Sequence, residues 1–561
     1  MSDKLKLVLC WHMHQPEYRD MQSGEFKLPW TYLHVIKDYV DMIGHLEAVP
    51  EAKAVVNFAP ILLEQIEDYS NQVSAYLQDR TVIKDSLLAA LADPSVSSDP
   101  EKCLKLMRDC RKANQDRQIN RYPAFRKLVD LIDWLQCHQD AVNYLNSQFL
   151  SDVLVWYHLI WMGETVKLGD FRIRRLIDKA GNFSSEDRIE VLEIIGEILS
   201  KIIYRYKALA RKGRIELSVT PYAHPIMPLM LNLQSAREAV SQVSLPLLAA
   251  YPGGQERVEW HLRKGIETFK HFFGFAPSGC WPSEGSVSTQ TLQILANAGF
   301  KWTASGGNVL HNSLRASASE PIGNFHHAFK LHGTDIACFF RDDGLSDLIG
   351  FEYSKWHADD AVADLIQHLE NILDAKDLPS VVSIIMDGEN AWEYFPDNGY
   401  HFLSALYKRL SDHPRIEMTT FSECLDNGLV LKPLSQLVAG SWVYGTFSTW
   451  IGDVDKNYAW DMLGDVKAAF DKVVAENKLT GQQLAAVEQQ LAVCEGSDWF
   501  WWFGDYNPGE AVSDFEKQYR LNLTNLYRLL GEDPPAYLAL AFTQGSGTPA
   551  MGGAMRRGNE I

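Results

Sequence analysis

Zinc-type cysteine spacing, a glycine-rich nucleotide loop, long apolar runs and a surplus of positive charge are all missing from this 561-residue chain. Lysine and arginine number 53 against 72 aspartates and glutamates, a formal charge of −19. A surface of that sign repels phosphate backbones and anionic lipid, so neither nucleic acid nor membrane is expected as a partner. Of eight cysteines only Cys103 and Cys110 lie close together, at a spacing no zinc motif uses. Free thiols in a reducing cytoplasm are the expectation. The first apolar run is broken by Lys6, so neither a signal peptide nor a membrane span is expected. No internal repeat is visible.

What is present is an ordinary globular composition with an excess of aromatics. The chain carries 16 Trp, which serve either as core or as flat platforms for a ring-shaped ligand. Short apolar runs at Lys4–Cys10, Ala54–Ala59, Ile215–Thr220, Pro277–Trp281, Trp302–Ala304, Asp335–Phe340, Val381–Met386 and Ile416–Thr420 read as strands, mostly followed by helical patterns. That alternation predicts an α/β fold with a parallel sheet or barrel; a doubly wound sheet is the alternative, but no glycine fingerprint follows the first strand. Residues 60–210 read as a long helical insertion. Helical patterns return at Ala459–Val473, Thr480–Val493 and Ser513–Leu530, and the Gly-rich end is expected to be mobile.

Three clusters carry chemistry. The first strand runs into His12-Met13-His14-Gln15, and in strand geometry the two imidazoles share a face. Cys280-Trp281-Pro282-Ser283-Glu284 sets a carboxylate behind stiff neighbours. Asp387-Gly388-Glu389-Asn390 ends an apolar strand in a dense acidic turn. A barrel brings the C-terminal ends of distant strands together, and paired carboxylates are the equipment of glycoside hydrolysis. Arg341 and Asp343 follow another strand, with Arg341 placed to orient a carboxylate or bind hydroxyls. Two further stretches, Gly445–Asp453 and Asp498–Asp505, combine aromatics with Gly and Asp.

These segments resemble glycoside hydrolase family 57. The resemblance runs over about residues 5–535. It rests on His12 to Pro16, Gly213 to Leu217 with Pro221 to Pro225, Gly279 to Glu284, Asp387 to Asn390, and Trp442 to Asp453 with Asn457 and Trp460. The family acts on α-glucans. The resemblance implies an incomplete (β/α)7 barrel with a long helical insertion and a mostly helical C-terminal domain. The expected bounds are 1–450 for the barrel, 451–540 for the helical domain and 541–561 for the tail. It further implies a retaining mechanism without metal or cofactor, with Glu284 as nucleophile and Asp387 as general acid/base. His12, His14 and His224 match ligands of the sugar at the cleavage point, and Glu216 matches an acidic residue of the second motif. Gln15, Glu216, Arg341, Asp343 and Asp453 are further expected substrate contacts, and Trp281, Trp392 and Trp450 are expected cleft walls.

The opening motifs look more like the amylase and amylopullulanase branch than the branching-enzyme branch, so hydrolysis of α-1,4 bonds in glycogen, starch or maltodextrin is expected, with α-1,6 bonds as a further candidate. A 4-α-glucanotransferase or branching enzyme of the same family is the alternative. With no recognisable starch-binding module, a cytoplasmic role is expected. Two rivals come from other classes. A metal-dependent carbohydrate deacetylase would use His12, His14 and an Asp, and a non-catalytic glucan-binding protein would not need Glu284.

Overall fold

The computed structural model describes residues 4–93, 99–317, 325–375 and 380–547, together with Met555 and Arg557. Seven parallel strands follow one another around a curled sheet: β1 (Leu5–Met13), β2 (Ala54–Phe58), β3 (Ile215–Val219), β4 (Gly279–Cys280), β5 (Trp302–Ser305), β7 (Ala337–Phe340) and β8 (Val382–Asp387). In space they run β7-β5-β4-β3-β2-β1-β8. The two ends of that row approach without forming a ladder. Asp342 N–H donates to Ser383 O at 2.8 Å, and Arg341 Nε donates to Ile385 O at 2.8 Å. This is an incomplete (β/α)7 barrel, as the resemblance implies.

Three short strands stand outside the row. β6 (Phe329–Leu331) pairs antiparallel with β7, β9 (Ile416–Met418) lies parallel to the start of β1, and β10 (Lys432–Leu434) flanks β6. β6 and β10 have no sequence signal: each is three residues long, and Lys330 and Pro433 interrupt any apolar run.

Alternation along the strands sorts the core into two. Val8, Cys10, Val55, Trp281, Trp302, Phe339 and Ile385 fill the barrel interior, whereas Leu7, Leu9, Val56 and Ile384 face the surrounding helices. Gly279 is required inside: a Cβ there would sit 1.8 Å from the Trp302 ring.

The insertion is helical from Pro60–Asp79 to Ser185–Arg211, the latter opened by a capping box of Ser184 and Asp187. Helices Val454–Ala475, Gly481–Cys494 and Gly509–Leu529 form the C-terminal region. All eight cysteines are unpaired. Among the described residues no helix is long and apolar enough to cross a membrane. Of the Gly-rich tail, 548–554, 556 and 558–561 lie outside the described residues. Its start is docked rather than loose: Ser546 N–H donates to Asp505 O and Gly547 N–H to Asn507 O.

Candidate active site

The site grows from the upper rank of inward-facing barrel positions. His12 pairs in register with Asn57 on β2 and with Asp387 on β8, and Asn57 pairs with Ser218 on β3, so all four side chains share one face. β1 stays extended through Met13, and the His12 and His14 rings lie nearly parallel, 5.6 Å apart. The sequence had placed them on one face, and they are.

Glu284 arrives by a different route. It follows the two-residue strand β4 and adopts a left-handed conformation (φ 58°, ψ 23°) that non-glycine residues avoid. Hydrogen bonds hold it there: Gly285 N–H donates to Pro282 O, and Trp442 N–H donates to Glu284 O at 3.0 Å. Backbone strain of this kind gathers at functional sites. The Trp442 indole N–H donates to Glu284 Oε2 at 2.9 Å, and His224 Nδ1 lies 3.9 Å from Oε1. Burial lifts the Glu284 carboxyl well above its ordinary range, the nearby Asp387 charge adds to this, and the Trp442 bond opposes it. Asp387 is also raised by burial, against a 2.8 Å bond from Asn390 Nδ2 and the pull of His14 and Arg341. The Asp387 charge thus favours the protonated form of the Glu284 carboxyl.

Gly388 does not supply the unusual backbone angle that a sharp turn would need. Its role is close approach, because a Cβ would fall 2.2 Å from Met13 Sδ. Arg341 is fixed by three bonds at 2.8 Å, to Ile385 O, Asp343 Oδ1 and Asp347 Oδ1.

A cavity of about 580 Å³ opens above this floor. Of the expected residues, His12, His14, Gln15, Glu284, Arg341 and Asp387 line it. His224 lies directly behind, its ring stacked on His14 at 3.8 Å. Asp343 sits beneath Arg341 and positions it.

The remaining expected contacts lie elsewhere. Glu216 sits lower in the barrel, accepting from Trp302 Nε1 at 2.7 Å and from Ser422 N–H and Oγ at 2.9 and 2.5 Å. Asp453 caps helix Val454–Ala475 through Asp455 N–H. Trp281, Trp392 and Trp450 are at most 1% exposed and stand behind the walls. Trp392 braces the acidic turn from the rear, donating to Gly388 O. Trp281 fills the barrel against Trp442, and Trp450 backs Trp501.

The tryptophans that do line the cavity are Trp30, Trp161, Trp442, Trp501 and Trp502. His14, His224 and Asp498 offer ligand atoms within 4.8 Å of one another. The two imidazole planes are nearly parallel, only 16° apart, so their in-plane lone pairs do not converge on one point. A metal would need one ring to turn.

The model of glycosyl hydrolase family 57 matches residues 8–433, about three quarters of the chain. The chain belongs to glycosyl hydrolase family 57. No curated protein matches it. Solved structures share its fold, two of them family 57 branching enzymes. A branching enzyme from Pyrococcus horikoshii is 16% identical, with a TM-score of 0.57 over 94% of this chain and 89% of that one. A branching enzyme from Thermococcus kodakaraensis is 15% identical (TM-score 0.54, 96% and 92% covered). The α-amylase AmyC from Thermotoga maritima is 13% identical (TM-score 0.54, 96% of each chain covered).

Within this family 57 fold, Asp498, which the sequence marked only as the start of the Asp498–Asp505 stretch, lines the cavity. It lies far along the chain, in the C-terminal region, and accepts from His14 Nε2 at 2.8 Å. Its neighbour Ser497 bonds His224 Nδ1 at 2.8 Å. The signal available was a polar pair opening the aromatic stretch Trp499–Trp502.

Proposed function

We propose that the protein is a retaining glycoside hydrolase that cleaves α-1,4 glucosidic bonds of glycogen, starch or maltodextrin. The observation that carries this reading is the carboxyl pair Glu284 and Asp387. They come from different strands, lie on one cavity floor and are close enough for one charge to raise the other's proton affinity. Asp387 protonates the glycosidic oxygen, a task its raised proton affinity favours. Glu284 attacks C1 as the carboxylate, which the Trp442 N–H stabilises, and a β-glycosyl-enzyme forms. Asp387 then takes the proton from the incoming water, and the α configuration is restored.

The imidazoles of His12 and His14, with Gln15 and Arg341, suit the hydroxyls of an uncharged sugar. The facing tryptophans suit the C–H faces of successive glucose rings. A deacetylase would need His12 to ligate a metal, but both of its ring nitrogens are already engaged, with Asn57 and His224.

The test is the product profile from maltoheptaose, amylose, pullulan and glycogen. Short reducing sugars support hydrolysis. Longer oligosaccharides would make the protein a transferase, and new 1,6 linkages a branching enzyme.

A further inference from the structure

Two walls of the cleft come from segments far apart in the chain. Lys112, just beyond helix Pro100–Asp109, belongs to the insertion. Glu510 and Asp514 lie at the start of helix Gly509–Leu529. Lys112 Nζ stands 3.0 Å from Glu510 Oε1 and 3.5 Å from Asp514 Oδ2, with Asp109 Oδ1 at 3.6 Å on its own side. Lys112, Glu510 and Asp514 all line the cavity that holds Glu284 and Asp387.

Exposure gives their depth. The side chains of Lys112, Asp514 and Glu510 are 25%, 33% and 73% accessible, against 13% for Glu284, so the ion pairs lie toward the mouth and Glu284 lies below. The backbone under Lys112 is anchored, because the buried Tyr157 hydroxyl donates to Lys112 O at 3.0 Å. Opening therefore needs only rotation of long side chains.

We propose that Lys112, Glu510 and Asp514 form an electrostatic clasp over the cleft mouth that selects substrates by girth. Closed, it passes the end of a slender linear oligosaccharide. Internal and branched segments of a polysaccharide enter only when it is open. The proposal rests on the α-glucan reading above. Partly exposed ion pairs are individually weak and are screened by salt, so the clasp shifts a population rather than sealing the site.

The experiment compares kcat/KM on glycogen with kcat/KM on maltoheptaose for the wild type, K112A, the double variant E510A/D514A and the triple variant. The glycogen-to-maltoheptaose ratio is expected to rise about two- to fivefold in K112A and in the double variant, the shift a weak ion pair supports. The triple variant should rise no further, because one interaction is being removed from either side. Raising the salt concentration should increase the ratio for the wild type and leave K112A unmoved. A ratio that stays constant, or effects that add in the triple variant, would overturn the clasp. So would a loss on maltoheptaose confined to K112A, which would make Lys112 a direct sugar ligand. A wild type inactive on both glucans would overturn the α-glucan reading itself, an outcome distinct from an active wild type with an unaltered ratio.

Discussion

The Nε2 atoms of His12 and His224 face each other at 3.2 Å on the floor of the cleft. Only one of them can carry a hydrogen in that contact, and the outer partners decide which. His12 Nδ1 lies 2.7 Å from Asn57 Oδ1, which accepts, so His12 is protonated at Nδ1 and accepts at Nε2. His224 then donates from Nε2 and accepts at Nδ1 from the Ser497 hydroxyl. Burial drives His12 down to about 3, with the His14 charge adding to the effect, and the same two causes push His224 well below its ordinary value. Both rings are neutral at physiological pH, and the chain of donors runs one way from Ser497 to Asn57.

That directional chain predicts the result of breaking its end. Asn57→Leu removes the acceptor at His12 Nδ1 and leaves a buried N–H unsatisfied. The expected cost is about 1–3 kcal/mol in stability, read by denaturant unfolding. Activity should fall with it, because His12 can then switch tautomer and oppose His224. An unchanged unfolding midpoint together with full activity would show that the chain does no orienting.

Substitution of the carboxyl pair separates their roles. Asp387→Asn should lower kcat by about 10²–10⁴, the usual contribution of a general acid. Azide tells the two positions apart. With Glu284→Ala it occupies the vacated space on the β face and should yield a β-glycosyl azide. With Asp387→Ala and an activated substrate, it attacks the glycosyl-enzyme and should yield the α-glycosyl azide. Mass spectrometry and NMR of the products read this directly, and reversed anomers would exchange the two assignments.

Much of this floor was legible because strand periodicity is local. An apolar run ending in His12-Met13-His14, and another ending in Asp387, announce inward-facing positions at a barrel rim without any knowledge of the partner strands. The tryptophans were misplaced for the converse reason. Trp392 and Trp450 sit within promising motifs, but whether an indole faces a cavity or the core depends on packing from distant segments. Trp30 and Trp161, which do line the cleft, carry no local mark. Asp498 stood in a marked stretch, but its contact with His14, almost the whole chain away, had no local sign.

The opposed influences of Asp387 and Trp442 on Glu284 predict opposite pH effects from two substitutions. Asp387→Asn removes the charge that raises Glu284, so the acid limb of the residual kcat/KM profile should move to lower pH. Trp442→Phe keeps the ring but removes the N–H that stabilises the Glu284 anion, so the acid limb should move to higher pH. Shifts in the same direction would mean that Glu284 does not govern that limb.

The same carboxyl costs stability, and the sign can be worked out. Its proton affinity is higher in the folded protein than in the unfolded chain. Above the ordinary carboxylate pKa the folded state therefore holds on to a proton the unfolded chain has released, and stability falls as pH rises through that window. Glu284→Gln removes the titration. The variant should melt above the wild type at neutral pH, and the difference should vanish below the ordinary carboxylate range. A variant that melts lower at both pH values would show that the Trp442 bond outweighs the burial cost.

Glu216 supplies a contrast within the same barrel. It is a buried carboxylate too, but its oxygens are spent on Trp302 and on the first turn of helix Phe421–Asp426, where Ser422 donates from both backbone and side chain. That helix seats Phe421 against Trp302 and Phe339 inside the barrel. Glu216→Ala leaves three donors without their acceptor, so a loss of about 2–4 kcal/mol is expected. The KM for maltoheptaose should not move at temperatures where the variant is folded, since the carboxylate lies below the cavity rather than on its wall. A raised KM with an unaltered melting temperature would instead place Glu216 among the sugar ligands, the position its motif suggested.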